Sequence, residues 1–417
     1  MSTTSPTGDF NPFGRELERY ADCVVQAGVD TRAGDVLDIR TPVAHRVLAV
    51  ALTEAAYRAG AQTVEVSYSE PRAQAARVRY GKKRDDLGAL PPWSPARYRE
   101  LQRPTAATLG TTGESDPGVF DGLPPDRVAL ELQRPAQENK QFIRAMLDGG
   151  VRWSGCAFPT PLWAAQVFPG VEPQRAQRRL ARDLLEFCRM GKNDPPGHKG
   201  WTAHARALRR RGRALTKLAP TALRLRGPGT DLTVGLSPGT VWIGGGRELK
   251  YGHVTCPNIP TEEVFTSPKA GVAEGPFRCS MPLSFHGRMF EGIAGEFRGG
   301  RLVRLECKRE ADRKLLAAFL DSEPNARRLG EVALVDGSSR IGSSGRVYYN
   351  TLLDENAACH IAFGSGFGVA REPGKKGGIN QAQLHIDVMI GTPDFEVTAT
   401  LPSGKQRVLI SDGEWRI

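Results

Sequence analysis

GDVLDIRTPVAHRVLAVALTEAAYRAGAQTVEVSYS, residues 34–69, passes from strand to helix to strand. Val36, Leu37 and Ile39 mark a short apolar strand. From Val43 to Ala61 the Ala and Leu content and the apolar spacing suit a helix that Gly60 ends. Gln62–Ser69 then alternates like a half-buried strand. A helical crossover of this length joins parallel strands, so the segment is a βαβ unit and implies a parallel sheet. No GxGxxG follows the first strand, and a dinucleotide is therefore not indicated. His45, at the opening of the helix, reads as a structural residue.

Before this unit the chain begins polar and turns helical over Phe13–Ala27. After it, Glu70 to about Gly122 reads as loop, with LPPWSP, LGTTGESDPG and GLPP. A helical stretch at 124–150, a strand and connection at 151–170, and basic helices over Glu172–Lys217 follow. Trp201 and His204 share one face of the last helix and read as a packing pair. The character changes near Leu218. Short strands separated by Gly and Pro turns follow, a β-rich pattern in which GPGTDL reads as a tight turn.

The chain has 417 residues, which favours two domains over one core. We divide it into 1–217 and 218–417. No apolar run has the length of a membrane span, and the N-terminus lacks a signal-peptide pattern, so a cytoplasmic protein is expected. Seven cysteines without a CxxC pair are expected as free thiols. The net charge is +11, but Arg175–Lys217 holds thirteen Lys/Arg against Asp183, Glu186 and Asp194. The remainder is nearly neutral. With few aromatics and no nucleic-acid motif in the basic segment, a solvated helical face is expected rather than a nucleic-acid surface.

Chemistry concentrates in the second half. NIPTEEVF carries Glu262 and Glu263, LGEVALV carries Glu331, DENAACH carries Asp354, Glu355 and His360, and HID carries His385 and Asp387. If Leu384–Ile390 is a strand, His385 and Asp387 leave one face a pleat apart. Two imidazoles and several carboxylates in mostly apolar sequence, with few nearby cations, suit a metal site, because buried carboxylates are costly unless paired or metal-bound. A two-metal centre uses such an inventory: a bridging carboxylate, terminal carboxylates and histidines, and a nearby Glu to carry a proton.

NIPTEEVFTSP, GEVALV, YYNTLLDENAACHIAFG and HIDVMIGT closely resemble the signature segments of the metallo-aminopeptidases typified by aminopeptidases T and S, and GPGTDLTVGL and W-x-x-H are similar to theirs. The resemblance implies an α/β protein: a Rossmann-like N-terminal domain with a helical extension, then a second α/β domain containing a mixed β-sheet barrel. It implies a homodimer that removes N-terminal residues from peptides with two divalent ions, of Zn, Co, Mn or Mg type. Carried over by motif, Glu262 is a ligand and Glu263 the general base. Glu331 bridges, Glu355 and His360 complete one side, and His385 and Asp387 hold the other. Asp354 orients a ligand histidine. The family carries Tyr seven residues after the first histidine; here Phe367 stands in its place and cannot ligate. Two alternatives remain: a specialised or non-hydrolytic relative in a biosynthetic pathway, and a ring-cleaving dioxygenase holding one iron on His360, His385 and Asp387.

Overall fold

The computed structural model describes residues 9–417 except 114, 115, 117, 250, 286, 287, 373, 376 and 377, together with the side chains of all the others but 125 and 136. The polar opening, 1–8, thus lies outside the described residues. Two compact units form, each discontinuous in sequence. The first takes Met1–His204, Gly246–Pro260 and His286–Arg288; the second takes Ala205–Gly245, Thr261–Phe285 and Met289–Ile417.

The first unit is built on a parallel sheet. Its strands are β1 (Val36–Pro42), β2 (Thr63–Ser69), β3 (Ala106–Thr112), β4 (Arg152–Ala157) and the short Asn258–Ile259, in the order β2–β1–β3–β4–(Asn258–Ile259). The helix Arg46–Arg58 buries Leu48, Ala49, Leu52, Ala55 and Ala56, and it packs against β1 and β2. Gly60, at φ +97°, stops it; a Cβ there would meet the Ala33 backbone at 3.0 Å. Arg152 and Asp35, both buried, pair at 2.8 Å. Arg152 also reaches His253 Nδ1 at 2.8 Å, which ties the distant 246–260 excursion to this unit.

The expected loop over Glu70–Gly122 is corrected by the structure. It contains the helices Pro71–Tyr80 and Ser94–Glu100 and the strand β3. β3 is buried from Ala106 to Leu109 but is written AATLGTT, without the bulky β-branched run that signals a strand. Pro71–Tyr80 buries only Ala75 and Val78, so its helical period is faint.

His45 is structural, as expected. It is fully buried, with Nδ1 2.7 Å from the Thr111 hydroxyl and Nε2 3.0 Å from the Gly113 carbonyl. Burial lowers its pKa to about 4, against a smaller opposing effect of the Gly113 hydrogen bond. Its Cε1–H resonance is therefore expected to titrate near pH 4. Because the unfolded imidazole titrates near 6.5, stability is full above that pH. It declines as pH falls towards 4, by about 3 kcal/mol in all. An ordinary midpoint near 6.5 would refute this.

In the second unit the strands β5 (Glu263–Thr266), β6 (Leu329–Val335), β7 (His360–Gly364) and β8 (His385–Met389) form an antiparallel sheet, ordered β8–β7–β6–β5–(Ile243–Gly244). An eight-stranded sheet, with every described pairing antiparallel, faces the same core. Its hairpin Ala222–Gly227/Thr230–Gly235 turns at Pro228–Gly229, which is the use anticipated for GPGTDL. Val264, Val332, Leu334, Ile361, Phe363, Ile386 and Val388 all enter that core. Alternation then sends the intervening residues of β5–β8 to the opposite face.

Candidate metal centre

That opposite face carries Glu263, Glu331, His360, His385 and Asp387. The register brings them together: Glu331 lies opposite Ala362, and Ala362 opposite Asp387, while His360 lies opposite Ala333 and His385 opposite Gly364. Glu263 enters from β5, paired with Val335. Two groups of donor atoms result, each with all its atoms within 4.8 Å of one another: Glu263, Glu331 and His360; and Glu331, His385 and Asp387. Glu331 belongs to both.

Both imidazoles are oriented by backbone. His360 Nδ1 donates to the Ala358 carbonyl at 3.1 Å, and His385 Nδ1 to the Ser365 carbonyl at 2.8 Å. Each Nε2 thus faces the acids: His360 to Glu263 at 3.1 Å, His385 to Glu331 at 3.1 Å and to Asp387 at 3.2 Å. A backbone-held Nδ1–H with Nε2 presented is the usual preparation of a ligand histidine.

The electrostatics ask for cations. Burial, with repulsion from Glu263 and Asp387, raises Glu331 to about 7 despite its hydrogen bond to His385. Burial, then the charges of Asp387 and Glu263, carry Glu355 well above the carboxylate range. Burial opposes charge on His360, yet the Glu263 hydrogen bond and the surrounding acids outweigh it and raise this group to about 10. Among the described residues, Glu263, Glu331 and Asp387 have no Lys or Arg partner. Hard oxygen donors and oriented imidazoles in this arrangement fit divalent ions.

The remaining anticipated residues sit around these groups. Glu262 is buried but belongs to neither donor group; its N–H donates to Asn356 Oδ1 at 2.7 Å. Glu355 lies in the turn Glu355–Ala357, outside both groups, with Asn356 Nδ2 at 3.3 Å from its carboxylate. Asp354 was expected to orient a histidine. Instead it accepts the N–H groups of Tyr348 at 2.7 Å and Asn350 at 3.0 Å, since the short helix Thr351–Asp354 turns it back on the preceding loop. Burial raises it to about 7, those bonds notwithstanding.

Asn356 escaped the sequence reading. It is fully buried and links Glu262 N–H, the Thr261 hydroxyl, the Leu352 carbonyl and Glu355. Its position inside DENA, between named candidates, was the available signal. Phe367 stands beside the site, its ring 5.0 Å from that of His385 and nearly perpendicular to it at 68°.

Residues 13–415 match the family model described as thermophilic metalloprotease (M29). Aminopeptidase T of Thermus thermophilus is 35% identical over 409 residues, which is 97% of this chain and 99% of that protein. Aminopeptidase PepS of Streptococcus thermophilus is 31% identical over 414 residues, 97% of this chain and 99% of its own. The solved structure of wild-type AmpT from Thermus thermophilus superposes with a TM-score of 0.87 at 34% identity, covering 97% of this chain and all of that one. A 2,5-dihydroxypyridine dioxygenase from Pseudomonas putida shares the fold at 15% identity and a TM-score of 0.53, over 96% of this chain and 97% of its own.

Proposed function

The chain belongs to the thermophilic metalloprotease (M29) family and is a metallo-aminopeptidase; from that premise we propose that it removes N-terminal residues from peptides with two divalent ions, one on Glu263, Glu331 and His360 and one on Glu331, His385 and Asp387. The observation that carries this reading is the membership of Glu331 in both donor groups. Ions held there supply Lewis acidity towards the scissile carbonyl and lower the pKa of water. The residues of the chain do the rest. His360 and His385 are held in one tautomer by backbone carbonyls. The clustered carboxylates offer acceptors for a free α-ammonium group. On this reading Glu263 is a ligand, and its buried neighbour Glu262, whose N–H Asn356 holds, is the proton carrier.

Metal content per chain, measured beside leucine release from a leucyl peptide, tests the proposal. Two ions with release support it; one iron with oxygen uptake would sink it. The iron reading needs His360 and His385 on one ion, whereas the donor groups separate them. Asn356→Ala is expected to retain both ions and lower kcat about 10- to 100-fold, as removal of a supporting partner does. Wild-type kcat in that variant would remove Asn356 from the account.

A further inference from the structure

Two phenyl rings stand against the donor groups and hold none of them in place by a polar contact. Phe265 follows Glu263 by two residues on β5 and so leaves the sheet on the same face, about 7 Å along. Phe367 lies 5.2 Å from it, ring centre to ring centre, and edges onto the His385 imidazole at 5.0 Å. Both residues are only partly buried. The wall is pinned: the Phe367 N–H donates to Ser267 Oγ at 2.8 Å, and its carbonyl accepts from Ala370 N at 3.0 Å. Ser267 is two residues beyond Phe265, so one hydrogen-bonded corner carries both rings. Among the described residues no Lys or Arg stands over either ring.

The wall is thus rigid, apolar and flush with a highly polar site. In a peptide the N-terminal α-carbon bears the amine, the scissile carbonyl and the side chain together. When the first two lie at the donor groups, the third is one bond away and meets whatever borders them. We propose that Phe265 and Phe367 form the subsite for the side chain of the substrate's N-terminal residue and select apolar side chains over charged ones. This rests on the aminopeptidase reading. The rings bury a Leu or Phe side chain favourably; an Asp carboxylate would lose water without gaining a partner, and a Lys ammonium would gain only a weak cation–π contact in exchange for its water.

The test compares p-nitroanilide release from Leu, Ala and Lys substrates by metal-loaded wild type, Phe265→Ser and Phe265→Leu. The wild type is expected to prefer Leu to Ala by about tenfold or more in kcat/KM, and to Lys by more again. Phe265→Ser is expected to lose about tenfold of the Leu/Ala ratio, and Phe265→Leu to keep most of it. An unchanged ratio in Phe265→Ser, with wild-type metal content, overturns the proposal. Calorimetry separates the subsite from the reaction. If no substrate turns over, the peptidase reading fails alone, and leucine, alanine and lysine are titrated into the same metal-loaded proteins. Leucine binding about tenfold tighter than alanine, lost in Phe265→Ser, supports the subsite; equal affinities overturn it.

Discussion

Glu331→Gln is expected to hold about one metal ion per chain or fewer and to hydrolyse leucyl peptides at least about 10³-fold more slowly than the wild type. The size of the effect follows from position. Glu331 is shared by the two donor groups, so an amide in its place weakens both at once. A carboxylate offers two anionic oxygens, while Gln offers one neutral oxygen and an NH₂ that repels a cation. The result separates from misfolding by sign. In the metal-free protein, burial first, then Glu263 and Asp387, raise the Glu331 carboxyl to about 7. A folded pKa above the unfolded value means that stability is present at low pH and lost as pH rises through about 7. Gln never ionises and escapes that loss. Stripped of metal at pH 8, the variant should melt no lower than stripped wild type, although loaded wild type should melt higher than either. Metal analysis, kinetics and paired melting curves check this. A variant with two ions and near-normal kcat would refute the shared role of Glu331.

The same residue marks how far sequence could be read. In HIDVM the period of two was legible, so His385 and Asp387 could be placed on one face; GEVALV and CHIAF are buried throughout, and Glu331 and His360 join that face only through the register of β6, β7 and β8. The βαβ unit at 34–69 was legible because Val36, Leu37 and Ile39 mark an apolar strand, the helix shows its own spacing and Gly60 stops it at φ +97°, and the second strand alternates. What failed to show depends on tertiary context. β3 is a strand because β1 and β4 flank it, not because AATLGTT favours one. The excursion at 246–260 joins the first unit through the pairing of Asn258–Ile259 with β4 and through Arg152, residues about a hundred positions apart. Asp354 turned out to secure a loop, because which neighbour a buried acid meets is settled only once the chain has turned. In NIPTEEVF the composition announces two acids, but which one faces the other ligands depends on where β5 begins.

β5 begins at Glu263, and this sets up the second large effect. Glu263→Gln is expected to lose the ion shared with His360 and Glu331 and to lower kcat about 10²- to 10³-fold, while the ion on His385 and Asp387 remains. Glu262→Gln is expected to keep both ions and still lose about 10²- to 10⁴-fold in kcat, the range for removal of a general acid–base. The contrast rests on geometry. Glu263 stands 3.1 Å from His360 Nε2 and in a donor group, whereas Glu262 is outside both groups, with its N–H held by Asn356. The motif alone would give the two residues the opposite roles, so metal stoichiometry decides between the orders. One ion in Glu262→Gln and two in Glu263→Gln would restore the motif order. One ion in Glu263→Gln and two in Glu262→Gln would make the first acid of the pair the proton carrier and the second a ligand, a division in which two adjacent carboxylates need not compete for one ion.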